Sequence, residues 1–308
     1  MTAQPAPTIT IDEHAVKLRE LIIDEIIYAF SGKRSKITHR LVAPFLRTTA
    51  GHFGRIAAEF YEKVITLGVS EGARATLPRF NHTVTARGIE RIPKQGPLLI
   101  VSNHPGGLDS LGIVSCIPRN DLKALVSDIK FMRVFDIQQR YCIYVSFEAI
   151  GGMVALRDAI DHLRSGGALL VFAHGDVEPE PEYLPGAREA IQEWSRSLEI
   201  MLHKVPETNL QIISTSGAVL HRFLNSPVTR LRKQPERRQK LAEFLQVIQS
   251  LLLPGSIPVN LHLTIGEPIA TDKLGEGRWM PEIIRHAQAQ LDEHLAWVND
   301  LTRFNKRD

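Results

Sequence analysis

The stretch LLIVSNHPGGLDSLGIV, residues 98–114, decides how the chain is read. An apolar run closes on Asn103-His104, breaks at Pro105-Gly106-Gly107, and resumes as an amphipathic segment behind Asp109. A core strand needs no histidine at its end, and an ordinary turn needs neither His nor Asp at these positions. In a continuous helix only residues three or four apart share a face, so His104 and Asp109 meet only if the chain turns between them. Pro105 biases His104 toward an extended conformation. The two glycines admit backbone conformations that other residues avoid. Asp109 then falls in the first turn of the next helix, where a negative charge is favoured. The tip of a strand that feeds a helix is also where open α/β sheets bind ligands.

An Asp hydrogen-bonded to one imidazole nitrogen fixes the tautomer and stabilises the imidazolium, which leaves the other nitrogen as a general base. Such a dyad activates a substrate hydroxyl with no protein nucleophile. The same spacing is also that of an Asp capping a helix beside a loop histidine, and spacing alone leaves both readings open. Gly106 and Gly107 are, by position, candidate backbone donors to an oxyanion.

Outward from this stretch the pattern predicts strands near 82–88, 97–102, 122–126, 141–146, 168–173, 210–215 and 259–265. Helices are expected near 108–117, 153–165, 187–203, 236–252 and 281–303. This alternation predicts an α/β fold, a mixed but largely parallel sheet flanked by helices. Before it, HAVKLRELIIDEIIYAF (14–30) carries Leu18, Leu21, Ile22, Ile26 and Phe30 at helical spacing, and 40–68 continues as helix to Gly68. The expected organisation is a helical N-terminal region, 1–78, and an α/β catalytic domain, 79–308.

Composition narrows the class. The chain has 308 residues, 44% hydrophobic and 23% charged, values of an ordinary globular protein, with a net charge of +3 that is too small to argue for nucleic acid. No apolar run reaches the roughly 18–20 residues of a membrane-spanning helix. The start MTAQPAPTITIDEH (1–14) does not read as a secretory signal. Cys116 and Cys142 form neither a metal spacing nor a disulfide framework, which points to a reducing, cytoplasmic setting, with peripheral attachment to the inner face of the membrane as the alternative. Cys142 lies in an apolar run and reads as core. Ser110 lacks the Gly-x-Ser-x-Gly elbow of a hydrolase nucleophile.

VTARGIERIPKQGPLLIVSNHPGGLDS (84–110) resembles the opening of the glycerolipid acyltransferase family, the glycerol-phosphate and lysophosphatidate acyltransferases, whose hallmark is Asn-His, four residues, then Asp after a strand. The likeness continues in order through LRSGGALLVFAHGD (163–176), YLPGAREAI (183–191) and VNLHLTIGEPI (259–269). It implies O-acyl transfer from an acyl thioester, acyl-coenzyme A or acyl carrier protein, to the hydroxyl of a glycerophospholipid-type or other lipid acceptor in phospholipid biosynthesis. His104 would be the general base and Asp109 its orienting partner. No bound cofactor or metal is implied, since the thioester is a co-substrate.

The blocks that place the acceptor differ. The family's Phe-Pro-Glu-Gly reads Phe172-Ala173-His174-Gly175, and its second block, which ends in Asp-Arg, reads CIYVSFE (142–148) with Ser146-Phe147. Asn103, Gly106, Gly107, His174 and Gly175 are therefore expected at the substrate, with Lys130 and Arg133 standing in for the absent Arg. Acceptor recognition is expected to be altered.

Two further stretches carry alternatives. FAHGDVEPEPE (172–182) gathers His174, Asp176, Glu178, Glu180 and Glu182, either a solvated acidic loop or, with His104 and Asp109, the metal site of a hydrolase. In 230–252, Arg230, Arg232, Lys233, Arg237, Arg238 and Lys240 precede an apolar face of Leu241, Phe244, Leu245, Ile248, Leu251 and Leu252. That pairing suits an anionic membrane surface or an acidic carrier protein, or else a core helix with a solvated start. A non-catalytic lipid- or acyl-binding protein on the same fold is the other reading of the altered blocks.

Overall fold

The computed structural model describes residues 11–31, 36–128, 130–134, 138–146 and 149–304. The leader 1–10 and Phe147 lie outside the described residues, as do the side chains of Ile26 and Phe30. Seven strands form one sheet in the order β1-β7-β6-β2-β5-β3-β4. They are β1 (His82–Arg87), β2 (Leu98–Ser102), β3 (Leu122–Ser127), β4 (Cys142–Val145), β5 (Ala168–Phe172), β6 (Asn209–Ser216) and β7 (Val259–Ile265). All pairings are parallel except β6 with β7, so the sheet is mixed and largely parallel, as the alternating pattern predicts.

β2 holds the middle of the sheet, and every one of its side chains is buried. A strand buried on both faces reads as an unbroken apolar run. Its alternate residues serve two cores. Leu99 and Val101 pack with Leu169, Val171 and Ile212 beneath the helices Ala149–Arg164, Ser197–Lys204 and Met280–Phe304. Leu98 and Ile100 pack on the opposite face with Ile113 and Ile117 around the helix Asp109–Cys116. Each such side chain contributes roughly 1.5–3 kcal/mol by leaving water.

The N-terminal helices Ile11–Ser31, Lys36–Leu67 and Val69–Thr76 precede the sheet. They rest on the α/β layer, with Leu18 against Val134, and Ile56 with Phe80 and Leu251. Among the described residues no helix is long and apolar enough to cross a membrane. Cys116 and Cys142 are free thiols, and burial pushes Cys142 up to about 11, consistent with packing rather than reactivity.

One expected helix is two. The segment 187–203 divides into Ala187–Ala190, a 3-10 turn Ile191–Glu193, and Ser197–Lys204. Trp194 between them is extended, with φ −57° and ψ 140°. Its indole Nε1 donates to Glu178 at 3.0 Å, and the next residue's amide, Ser195 N, donates to Ala173 O at 2.9 Å. Those bonds draw the chain out of helix toward the end of β5.

Asn103 extends the ladder beyond β2. Its Nδ2 donates to Thr215 O and its Oδ1 accepts from Thr215 N, both at 2.8 Å, so the side-chain amide replaces a strand residue's own N–H and C=O. Asn103→Ala leaves both buried Thr215 groups unpaired. The expected loss in urea unfolding is on the order of 1–3 kcal/mol per group, and a loss below about 0.5 kcal/mol, the scale of a surface change, contradicts this role.

Candidate active site

The site lies at the carboxyl ends of β2, β5 and β6. The chain leaves β2, turns through 103–108, and starts its helix at Asp109. His104 Nδ1 lies 3.0 and 3.1 Å from the two oxygens of Asp109, so the two side chains are in direct contact. The Asp109 side chain is 0% exposed and that of His104 21% exposed. Gly106 N donates to the same carboxylate at 3.1 Å, closing the bend.

The glycines work differently from the sequence expectation. Neither Gly106 nor Gly107 has a positive φ. What Gly106 supplies is space, since a Cβ there would lie 3.0 Å from Glu243 Oε1 and 3.1 Å from the Cβ of Ala218. Their amides are not free for an oxyanion either: Gly106 N is held by Asp109 and Gly107 N donates to Glu243.

Three more contacts hold His104. Its amide donates to Glu178 Oε2 at 2.8 Å, and its carbonyl accepts from the Glu178 amide at 2.8 Å. Phe172, at the end of β5, stacks on the imidazole with ring centroids 4.2 Å apart. Burial works against an imidazolium here, but the charge and hydrogen bond of Asp109, followed by Glu243 and Glu178, outweigh it, and the His104 pKa is raised. Burial pushes Glu178 and Glu243 each up to about 7. Carboxylates thus surround the ring on its protein side.

On its open side His104 faces a cavity of about 710 Å³, within the range of small-molecule sites. Leu125, Val145, Ala155, Leu156, Val171 and Met201 form apolar walls, and Ser110, His174, Gly175 and Asp176 lie at its polar end. The structure thus brings His104, Gly107, His174 and Gly175 to one cavity. Gly175 needs its residue type, with φ +81°. His174 Nε2 is 3.4 Å from Glu193, and its Nδ1 is buried without a hydrogen-bond partner.

Other expected residues sit elsewhere. Asn103 is spent on Thr215. Lys130 and Arg133 are exposed on a 3-10 turn and do not line the cavity. Arg133 is paired with Asp128, Nη2 to Oδ2 at 2.8 Å, and its guanidinium lies 4.3 Å from the Tyr144 ring centre.

Asp176 of the acidic segment is exposed, but its three glutamates turn inward and are not gathered into one cluster. Prolines 179 and 181 favour an extended backbone at the preceding glutamates, and alternate residues then reach the rim of the sheet. Glu178 takes His104, while buried Glu180 accepts from Gly217 N, Ala218 N and Val219 N at 2.9, 2.8 and 3.2 Å. Glu182 accepts from Ser216 and contacts His262 Nδ1 at 2.7 Å. Among the described residues no three His, Cys, Asp or Glu side chains are grouped to hold a metal ion.

The helix Pro235–Leu252 supplies what the sequence reading missed. Its Gln239 donates to Pro105 O at 2.7 Å and to Glu178 O at 2.8 Å, and Gln246 Nε2 donates to Ala218 O at 2.8 Å. With Glu243 these residues stand at i, i+4 and i+7, one helical stripe. That periodicity was the available signal, hidden because polar stripes ordinarily face water. Of the apolar stripe, Leu241 and Leu251 are buried and Leu245 packs on the interior, Phe244 and Ile248 are half-buried, and Leu252 is exposed.

Scanning against protein-family models gives no match, and neither does a search of curated proteins. Among solved structures the chain is similar to the 1-acyl-sn-glycerophosphate (LPA) acyltransferase PlsC from Thermotoga maritima, at 16% identity and a TM-score of 0.45, over 92% of this chain and 98% of that one.

Because the folded-state pKa of His104 is raised, its charged contact with Asp109 stabilises the fold at low pH, and that contribution is lost as pH rises through the folded value. A proton-accepting role for His104 would run the opposite way, since only neutral imidazole accepts a proton. Asp109→Asn is expected to lower the His104 pKa in an NMR titration of the ring protons. An unchanged titration contradicts the proposed electrostatics.

Proposed function

We propose that this chain is an O-acyltransferase that moves a fatty acyl group from a thioester, acyl-coenzyme A or acyl carrier protein, to a hydroxyl of a lipid-like acceptor. The observation that carries this reading is an imidazole that lines a largely apolar cavity and whose Nδ1 is held by a buried carboxylate. The order of sequence motifs that resembles the glycerolipid acyltransferases supports it independently.

In this reading the acyl chain lies against Leu125, Leu156 and Met201, which leaves its carbonyl near His104. The acceptor oxygen attacks that carbonyl as His104 Nε2 takes the hydroxyl proton. Asp109 stabilises the resulting imidazolium. The tetrahedral intermediate collapses, the C–S bond breaks, and the imidazolium returns the proton to the leaving thiolate. Ester and free thiol are the products, so the proton count closes without a cofactor. Phe172 and Glu178 keep the ring in register, a positioning role.

His104→Ala is expected to reduce thiol release from the acyl thioester by roughly 10²–10⁴-fold, the usual weight of a general base, with the circular dichroism spectrum unchanged. Undiminished release would refute the assignment.

A further inference from the structure

Acidic side chains predominate around the reacting end of the cavity. Of the ionisable side chains lining it, Asp176 is acidic and the others are His104 and His174; among the described residues no Lys or Arg is part of the wall. Behind His104 stand Asp109, Glu178 and Glu243, from the helix Asp109–Cys116, the extended segment after β5, and the helix Pro235–Leu252. The remaining polar wall is made of hydroxyls, Ser110, Ser127, Ser195 and Ser197.

Of the described cations near the wall, two are held by carboxylates, while Arg196 and Lys130 are exposed and lie outside the wall. Lys240 bonds the wall residue Asp176 at 2.8 Å, and Arg133 is held by Asp128 and Tyr144. A phosphate dianion placed next to the reacting hydroxyl would lie close to the buried carboxylates behind His104, and among the described residues the wall brings it no Lys or Arg. An uncharged or ammonium-bearing group meets no such opposition.

We propose that the acceptor is a hydroxyl compound whose polar end is neutral or amine-bearing, and that phosphomonoesters are discriminated against. This inference rests on the acyl-transfer reading and specifies its second substrate. Glu178 and Glu243, both pushed up to about 7, shed part of their charge near neutrality, but that supplies no positive group for a phosphate.

The test uses the full chain with a long-chain acyl-coenzyme A and, in parallel, acyl carrier protein as donor, reading free thiol and identifying products by mass spectrometry. Acceptors are glycerol 3-phosphate and 1-acylglycerol 3-phosphate on one side, and 1-acylglycerol (neutral) and sphinganine (an amino alcohol) on the other. The expected result is a kcat/KM at least about tenfold higher for the neutral or the amine acceptor, lost in His104→Ala. The two arms distinguish which of those chemistries is used. Equal or better use of the phosphomonoesters, still dependent on His104, overturns the inference and leaves acyl transfer standing. Thiol release stimulated by no acceptor with either donor overturns both.

Discussion

The site depends on one contact, the imidazole of His104 against the carboxylate of Asp109 across a five-residue step. A carboxylate with no exposed side-chain surface is costly unless it is paired and hydrogen-bonded. Asp109 meets that demand with the ring on one side and the Gly106 amide on the other, so the bend, the helix start and the ring orientation are solved together. Loss of any one of the three exposes the other two to the same penalty. The main chain of His104 is fixed from outside by Glu178, and its ring by Phe172.

Around that contact the molecule places carboxylates where a conventional core would place hydrocarbon. Glu178, Glu180 and Glu182 fasten the extended segment after β5 to the ends of β2 and β6 and to the middle of β7. From the other side, Gln239, Glu243 and Gln246 of the helix Pro235–Leu252 clasp Pro105, Gly107 and Ala218. These bonds hold two separate stretches of chain to one rim, and they leave the protein side of the cavity's reacting end electronegative. In the proposed reaction the same arrangement would both orient the base and disfavour an anionic acceptor.

Much of this was legible in one dimension. Each of the seven strands is an apolar or β-branched run bounded by Gly, Pro or polar residues, and each lies within two residues of its expected span. The Asn-His to Asp spacing pointed to the contact that the structure shows between His104 and Asp109, and His174 and Gly175, singled out after β5, line the same cavity as His104. What the sequence hid were bonds between distant segments. Glu243 and Gln239 belong to a helix whose charge pattern reads as a solvated face, and Glu178 and Glu180 to a loop that reads as acidic surface. Asn103 was misread because an amide that copies a strand's own hydrogen bonds has no periodic signature. The broken helix at Trp194 has the same cause, since its bond to Glu178 is set by the tertiary fold.

The central claim is that an acyl thioester lies in the cavity with its reactive carbon beside His104. Photolabelling with a fatty acyl-coenzyme A carrying a mid-chain diazirine, followed by peptide mapping, addresses it most directly. The account predicts crosslinks on the apolar wall, at Leu125, Val145, Leu156 or Met201, suppressed by excess unlabelled thioester. Crosslinks confined to the helices Ile11–Ser31 and Lys36–Leu67, or labelling that no competitor reduces, would contradict it.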